Sequence, residues 1–183
     1  VNLIYLGPMT EKTQEKVISK LLPYKERIIE LIEKNTVFLF TGNAVEVLGK
    51  YIENEDETSI EGLGIFDVYA KRDMLHRHNS FLIGKYEDIE VIGFKSQFTM
   101  LYGDNTNMAF LEVEKGIGIN KESKLEGIKK NNFIGTYLIG PLLILNPLFT
   151  KKILEMLGVD GEVALKEETM AAYEERIKEF RRL

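Results

Sequence analysis

Apolar and polar positions follow two rhythms along the chain. "VNLIYLG" (1–7) is an unbroken apolar run closed by a glycine and predicts a buried strand. In residues 10–35, Val17, Leu21, Ile28 and Ile32 recur at helical spacing, interrupted by Pro23. That predicts two helical pieces or one kinked helix. "VFLF" (37–40) does not alternate, as in a strand covered on both faces. "NAVEVLGKYIE" (43–53) predicts a helix with Ala44, Val47, Leu48 and Tyr51 turned inward. Strand, helix, strand, helix in this order implies parallel pairing through right-handed crossovers.

The rhythm changes after residue 58. Segments 59–73, 80–87, 90–103 and 109–118 are short β-type runs separated by Gly, Asn and Asp, which predicts strands pairing with near neighbours. Residues 131–147 supply another strand and a Gly-Pro turn. Residues 147–157 predict a helix with Pro147 in its first turn. The tail, 164–183, is amphipathic: Leu165, Met170, Tyr173, Ile177 and Phe180 fall near one stripe, as on a helix packed against its own domain. No repeat, low-complexity segment or linker divides the chain, so residues 1–183 are expected to form a single domain.

Composition narrows the function classes. A net charge of −5 argues against a nucleic-acid footprint, which needs a basic face. The longest apolar run, near Leu142 to Leu145, is too short to span a bilayer, and no signal segment opens the chain. The chain begins at Val1 inside an apolar run, so the expectation is that the natural N-terminus lies upstream. There is no cysteine, which excludes disulfides, thiolate metal sites and a cysteine nucleophile, and fits a reducing cytoplasm.

Three segments stand out when taken in order. "TGNAVEVLGKY" (41–51) puts Gly-x6-Gly-Lys at a strand–helix corner, "EGLGIFDVYA" (61–70) follows, and "GTYLIGPLLILNP" (135–147) lies near the end. In this order the chain resembles the class I glutamine amidotransferase domain of the cobyric acid synthase type, and most of all the glutaminase-type subunit of lipid II isoglutaminyl synthase. The resemblance implies an α/β fold: a flavodoxin-like open, mainly parallel sheet with an added antiparallel β portion, here lacking the family's first strand–helix units. It also implies an ATP-dependent, Mur-ligase-like partner that receives ammonia, and glutamine or a small carboxylate as ligand.

The family's chemistry needs a cysteine thiolate at the corner, a proton-carrying histidine and backbone N–H donors for the oxyanion. The resemblance puts Gly42 where the cysteine belongs and Ile139 where the histidine belongs. The glycine-rich turn of the relatives reads here as "LGPMT" (6–10), and Pro8 has no N–H to donate. Ser96 and Gln97 replace the residues usual after "GF". The implied pocket is therefore vestigial, formed by Gly7, Thr41, Gly42, Asn43, Gln97 and Ile139, with no catalytic residue, metal or cofactor.

Other candidates weigh less. Thr41 as a nucleophile needs an adjacent base, and none is nearby in sequence; ending the strand and capping the turn suits it better. His76 and His78 are the only histidines, and with no acidic or thiolate companions at ligand spacing they fit an exposed loop better than a metal site. Arg77 beside them is a candidate for a carboxylate. "EKGIGIN" lacks the rest of a dinucleotide fingerprint, and no phosphate-binding lysine loop supports ATP binding. The leading expectation is a degenerate amidotransferase-like companion of a ligase. The alternative is an active or small-carboxylate-binding enzyme of non-cysteine mechanism, using the helix N-terminus at the corner and a pocket enlarged by Gly42 and lined by Asn43 and Glu46.

Overall fold

The computed structural model describes residues 1–183. In chain order its first elements are β1 (Leu3–Leu6), α1 (Glu11–Leu21), α2 (Lys25–Glu33), β2 (Val37–Thr41), β3 (Tyr51–Glu53), β4 (Ser59–Glu61) and β5 (Tyr69–Arg72). There follow β6 (His78–Tyr86), β7 (Ile89–Gln97), β8 (Thr99–Tyr102), β9 (Leu111–Lys115), β10 (Leu125–Glu126), β11 (Ile128–Lys130) and β12 (Phe133–Thr136). The chain closes with α3 (Leu142–Leu145), α4 (Pro147–Met156) and α5 (Lys166–Arg182). Three sheets result, in the orders β1-β2-β12-β11, β10-β9-β6-β7 and β4-β3-β5-β8. The α/β, flavodoxin-like expectation holds: β1, β2 and β12 run parallel in one sheet, and the added β portion, antiparallel except for the β3–β5 pair, fills the other two sheets.

The helical spacing before β2 resolves into two helices joined by a 3-10 turn, Leu22–Tyr24, with Pro23 inside it. Thr10 caps α1, its Oγ1 accepting from the Thr13 amide at 3.3 Å. Ile18, Ile28 and Ile32 are buried from these helices against Phe38, Phe40 and Phe133. Each such aliphatic side chain contributes on the order of 2 kcal/mol. The opposite face of the central strands buries Leu39 and Ile134 against Leu82, Val91, Phe149 and Ile153. β2 is buried at all five positions, which is why it shows no alternation. Pro147 opens α4 as expected. Tyr173, Ile177 and Phe180 of α5 pack on Ile83 and Ile92.

Three local expectations are corrected. β1 is an edge strand rather than a buried one, with Leu3 39% and Tyr5 59% exposed, because only β2 pairs with it. The predicted helix at 43–53 is a 3-10 helix over Gly42–Leu48 followed by a strand. Gly49 ends it, its amide donating to Glu46 O at 3.0 Å, and a Cβ at Gly49 would lie 2.9 Å from Val68 O. Tyr51 then sits on β3, stacked on Tyr69 at 5.0 Å between centroids rather than turned into the core. Leu165 is 71% exposed and precedes α5, so it lies outside the stripe. No helix is long and apolar enough to cross a membrane.

Candidate functional site

β2 and β12 end side by side, with Thr41 opposite Thr136 in the register. The chain leaves both strands at this end, so the Gly42 turn and the Tyr137–Ile139 segment meet although they are far apart in sequence. Ile139 is held there by its own amide, which donates to Phe94 O at 2.9 Å and ties the segment to β7. Together they border a cavity of about 510 Å3, also lined by Pro8, Asn43, Arg77 and Gln97. Of the residues implied by the resemblance, Gly42, Asn43, Gln97 and Ile139 line this cavity, whereas Gly7 and Thr41 do not.

The corner is built around a glycine. Gly42 has φ +61°, the left-handed conformation that a side chain strains. A sharp turn of this kind after a strand is how nucleophile elbows expose their residue. Here a Cβ on Gly42 would lie 2.6 Å from Pro8 Cβ and 3.3 Å from Ile139 Cγ2. The expectation of an enlarged pocket is thereby corrected: Pro8 occupies the space that a nucleophile's side chain needs. The corner helix is also a seven-residue 3-10 turn, too short to serve as the anion-favouring helix N-terminus.

Asn43 faces the turn that holds Pro8. Its Oδ1 accepts from Met9 N at 3.0 Å and its Nδ2 donates to Met9 O at 2.8 Å. The amide after Pro8 is thus engaged within the turn, and Pro8 itself has none. Thr41 ends β2 but caps nothing; its Oγ1 lies 3.2 Å from the Tyr5 hydroxyl, and the residue is 4% exposed.

Glu46 does not line the cavity. It is buried beneath the turn, where Oε2 accepts from Gln14 Nε2 at 2.7 Å and Oε1 accepts from the Tyr137 hydroxyl at 2.9 Å. Arg72 extends the network, Nη2 donating to Gln14 Oε1 at 3.0 Å and Nη1 to Glu15 at 3.0 Å. Burial raises the Glu46 carboxyl from 4.5 to about 7, against the hydrogen bonds from Gln14 and Tyr137 and the charge of Arg72, which favour the anion. The folded protein therefore binds a proton that the unfolded chain has released, and stability falls as pH rises from about 4.5 to about 7. We expect Glu46→Gln to flatten this slope, read as the difference in urea midpoint between pH 5 and pH 8.

A second buried network escaped the sequence reading. Lys95 on β7 and Glu126 on β10 are both 0% exposed and form an ion pair. Lys95 Nζ also donates to Ile117 O at 3.0 Å and Gly118 O at 2.6 Å. Glu126 Oε1 accepts from Thr136 Oγ1 at 2.9 Å and Tyr137 N at 2.8 Å. The signal was present: Lys95 shares the inward parity of Val91, Gly93 and Gln97 on β7. Gln14 likewise falls at helical spacing with Ile18 and Leu21.

His76 is exposed and bonds Asp73, Nδ1 to Oδ1 at 2.8 Å. His78 is half-buried at the start of β6. His76, His78 and Asp73 do not form a metal-ligating group, and no cluster of three metal-ligating side chains exists. Arg77 reaches the cavity and lays its guanidinium over Phe98, 4.6 Å from the ring centre.

No family model matches the chain. Its fold is similar to the crystal structure of a glutamine amidotransferase, with TM-score 0.58 at 13% identity over 87% of this chain and 80% of that one. It is also similar to PurLQS from Thermotoga maritima, with TM-score 0.54 at 13% identity over 85% of this chain and 78% of that one. The fold thus defines a glutamine amidotransferase-like α/β domain of class I type. Sequence supplies the nearer kinship, to the lipid II isoglutaminyl synthase (glutamine-hydrolyzing) subunit GatD. The Staphylococcus aureus protein is 30% identical over 154 residues, 84% of this chain and 63% of its own length. The Streptococcus pneumoniae protein is 26% identical over 151 residues, 79% of this chain and 56% of its own length. The chain therefore spans under two thirds of either relative.

Proposed function

We propose that this chain is a degenerate glutamine amidotransferase-like domain that does not hydrolyse glutamine. It serves as a structural or regulatory companion of an amide-forming, Mur-ligase-like enzyme acting on a cell-wall precursor in the cytoplasm. The observation that carries the reading is the corner itself. Gly42 keeps the turn of a nucleophile elbow but offers no side chain, Pro8 fills the space beside it, and Ile139 faces it where a base is needed. Acyl transfer from an amide requires a nucleophile, a proton carrier and oxyanion donors. At the corner, Gly42 supplies no nucleophile, Ile139 carries no proton, and Pro8 has no N–H to offer an oxyanion. The kinship to GatD supports a role in lipid II amidation and the partnership with a ligase.

We expect the purified chain to release ammonia from glutamine no faster than buffer alone, and to co-purify with an ATP-dependent ligase. Ammonia release at an enzyme-like rate sinks the proposal. A second reading, retention of a small carboxylate without turnover, is favoured by the open cavity and by Arg77 on its wall.

A further inference from the structure

The segment Gln97–Thr99, which joins β7 to β8, separates the corner cavity from a second one. That second cavity, of about 190 Å3, is lined among others by Lys71, Arg77, His78, Gln97, Tyr102 and Lys121. The amidotransferase-like reading gives it no role.

Its charges are incompletely paired. Lys71 is matched by Glu53 at 3.1 Å, Arg72 by Glu15 at 3.0 Å, and Asp73 by His76 at 2.8 Å. Arg77 and Lys121 have no carboxylate within ion-pair distance; Arg77 rests on Phe98 instead. Two uncompensated cations thus flank one small cavity in a protein of net charge −5.

Hydrogen bonding points the same way. Gln97 is only 7% exposed; its Nε2 donates to Thr99 O at 2.6 Å, while its Oε1 is buried without a partner. His78 stands opposite Gln97 in the β6–β7 register, and its Nε2 is also buried without a partner. An unmatched buried polar atom costs about 1–3 kcal/mol. Two such atoms on residues paired across the β6–β7 register, next to free positive charge, call for a ligand. Burial, Lys121 and Lys95 lower the His78 pKa, so its ring is neutral at pH 7. In the Nε2–H tautomer it donates one hydrogen bond to an anion.

The ligand chemistry follows from these groups. Two free cations suit a dianion, and the Arg77 fork suits phosphate oxygens. Gln97 Oε1 requires a donor close to that charge. We infer that the second cavity binds a small phosphate monoester bearing an ammonium or hydroxyl group. Lys121, Arg77 and His78 hold the phosphate, and Gln97 Oε1 accepts from the donor. The inference stands whether or not the corner turns over glutamine.

Calorimetric titration of the full chain with phosphoethanolamine and with inorganic phosphate, at fixed ionic strength, tests it. Phosphoethanolamine should bind several-fold more tightly than phosphate. Lys121→Glu should weaken it about tenfold or more. Gln97→Met should erase the preference between the two probes. Lys124→Glu, exposed and outside the cavity, should leave both affinities unchanged. Four results overturn the inference: no saturable binding of either probe, an equal loss in Lys124→Glu and Lys121→Glu, displacement of phosphoethanolamine by glutamine, or a probe preference that survives Gln97→Met. Should Gln97→Met fail to fold, the surface variants and the glutamine competition decide alone.

Discussion

Gly42→Cys is expected to place a thiol at the corner, leave ammonia release from glutamine at background, and lower stability by about 2–4 kcal/mol. Two costs add. A non-glycine residue at φ +61° is strained by roughly 1–2 kcal/mol. The new Cβ also meets Pro8 Cβ at 2.6 Å, well inside van der Waals contact, so the β1–α1 turn must shift. That turn is fastened by the paired hydrogen bonds between Asn43 and Met9 and yields only at their expense. A fall in melting temperature of roughly 10 °C is the expected reading for a chain of this length. Pro8→Gly/Gly42→Cys should recover part of the loss by removing the contact, and still not hydrolyse glutamine, because Ile139 moves no proton. A Gly42→Cys variant that melts like the native protein disposes of the Pro8 wedge. One that also turns over glutamine disposes of the degenerate reading.

Lys95→Met should cost about 3–5 kcal/mol, the usual consequence of leaving one half of a buried ion pair behind. The loss comes mostly from Glu126, left charged at 0% exposure with only Thr136 and Tyr137 to support it. Lys95→Met/Glu126→Gln should recover more than half. A glutamine keeps both bonds through Oε1, and its Nε2 can donate to the Ile117 or Gly118 carbonyl that Lys95 vacates. Urea denaturation of the two single variants and the double gives the coupling directly. Additive losses would mean that the pair is not a unit. The pair matters to the candidate site because Glu126 holds Thr136 and Tyr137, the residues that lead into Ile139. It meets the Glu46 network at Tyr137, whose backbone amide donates to Glu126 and whose hydroxyl donates to Glu46. The floor of the corner is therefore fixed by two buried carboxylates, while Gly42 and Ile139 on its rim are neither nucleophile nor base.

The sequence was most legible where period and burial agree. The β2 run, the α1–α2 pair around Pro23, Pro147 at the head of α4 and the stripe of α5 all follow from local spacing. It was least legible at the corner. "NAVEVLGKYIE" has helical spacing, yet Gly49 packs against Val68 and the chain turns into β3, so the tertiary contact overrides the period. Glu46 illustrates the same limit. Expected on the pocket wall, its side chain points down to Gln14 and Tyr137 instead.

By itself the sequence determined the class of fold, through unalternated strands, helical stripes and the ordered segments 41–51, 61–70 and 135–147. It also determined the absence of a cysteine and the identities of Gly42 and Ile139, since composition does not depend on conformation. Only the tertiary structure decided that Gly42 and Ile139 face one cavity, because their meeting depends on β2 and β12 ending side by side. It alone decided that Pro8 fills the nucleophile's place, that Glu46 is buried, and that Gln97 and His78 hold unmatched atoms beside Lys121. Those facts concern distances between residues remote in sequence, and packing sets such distances where periodicity cannot.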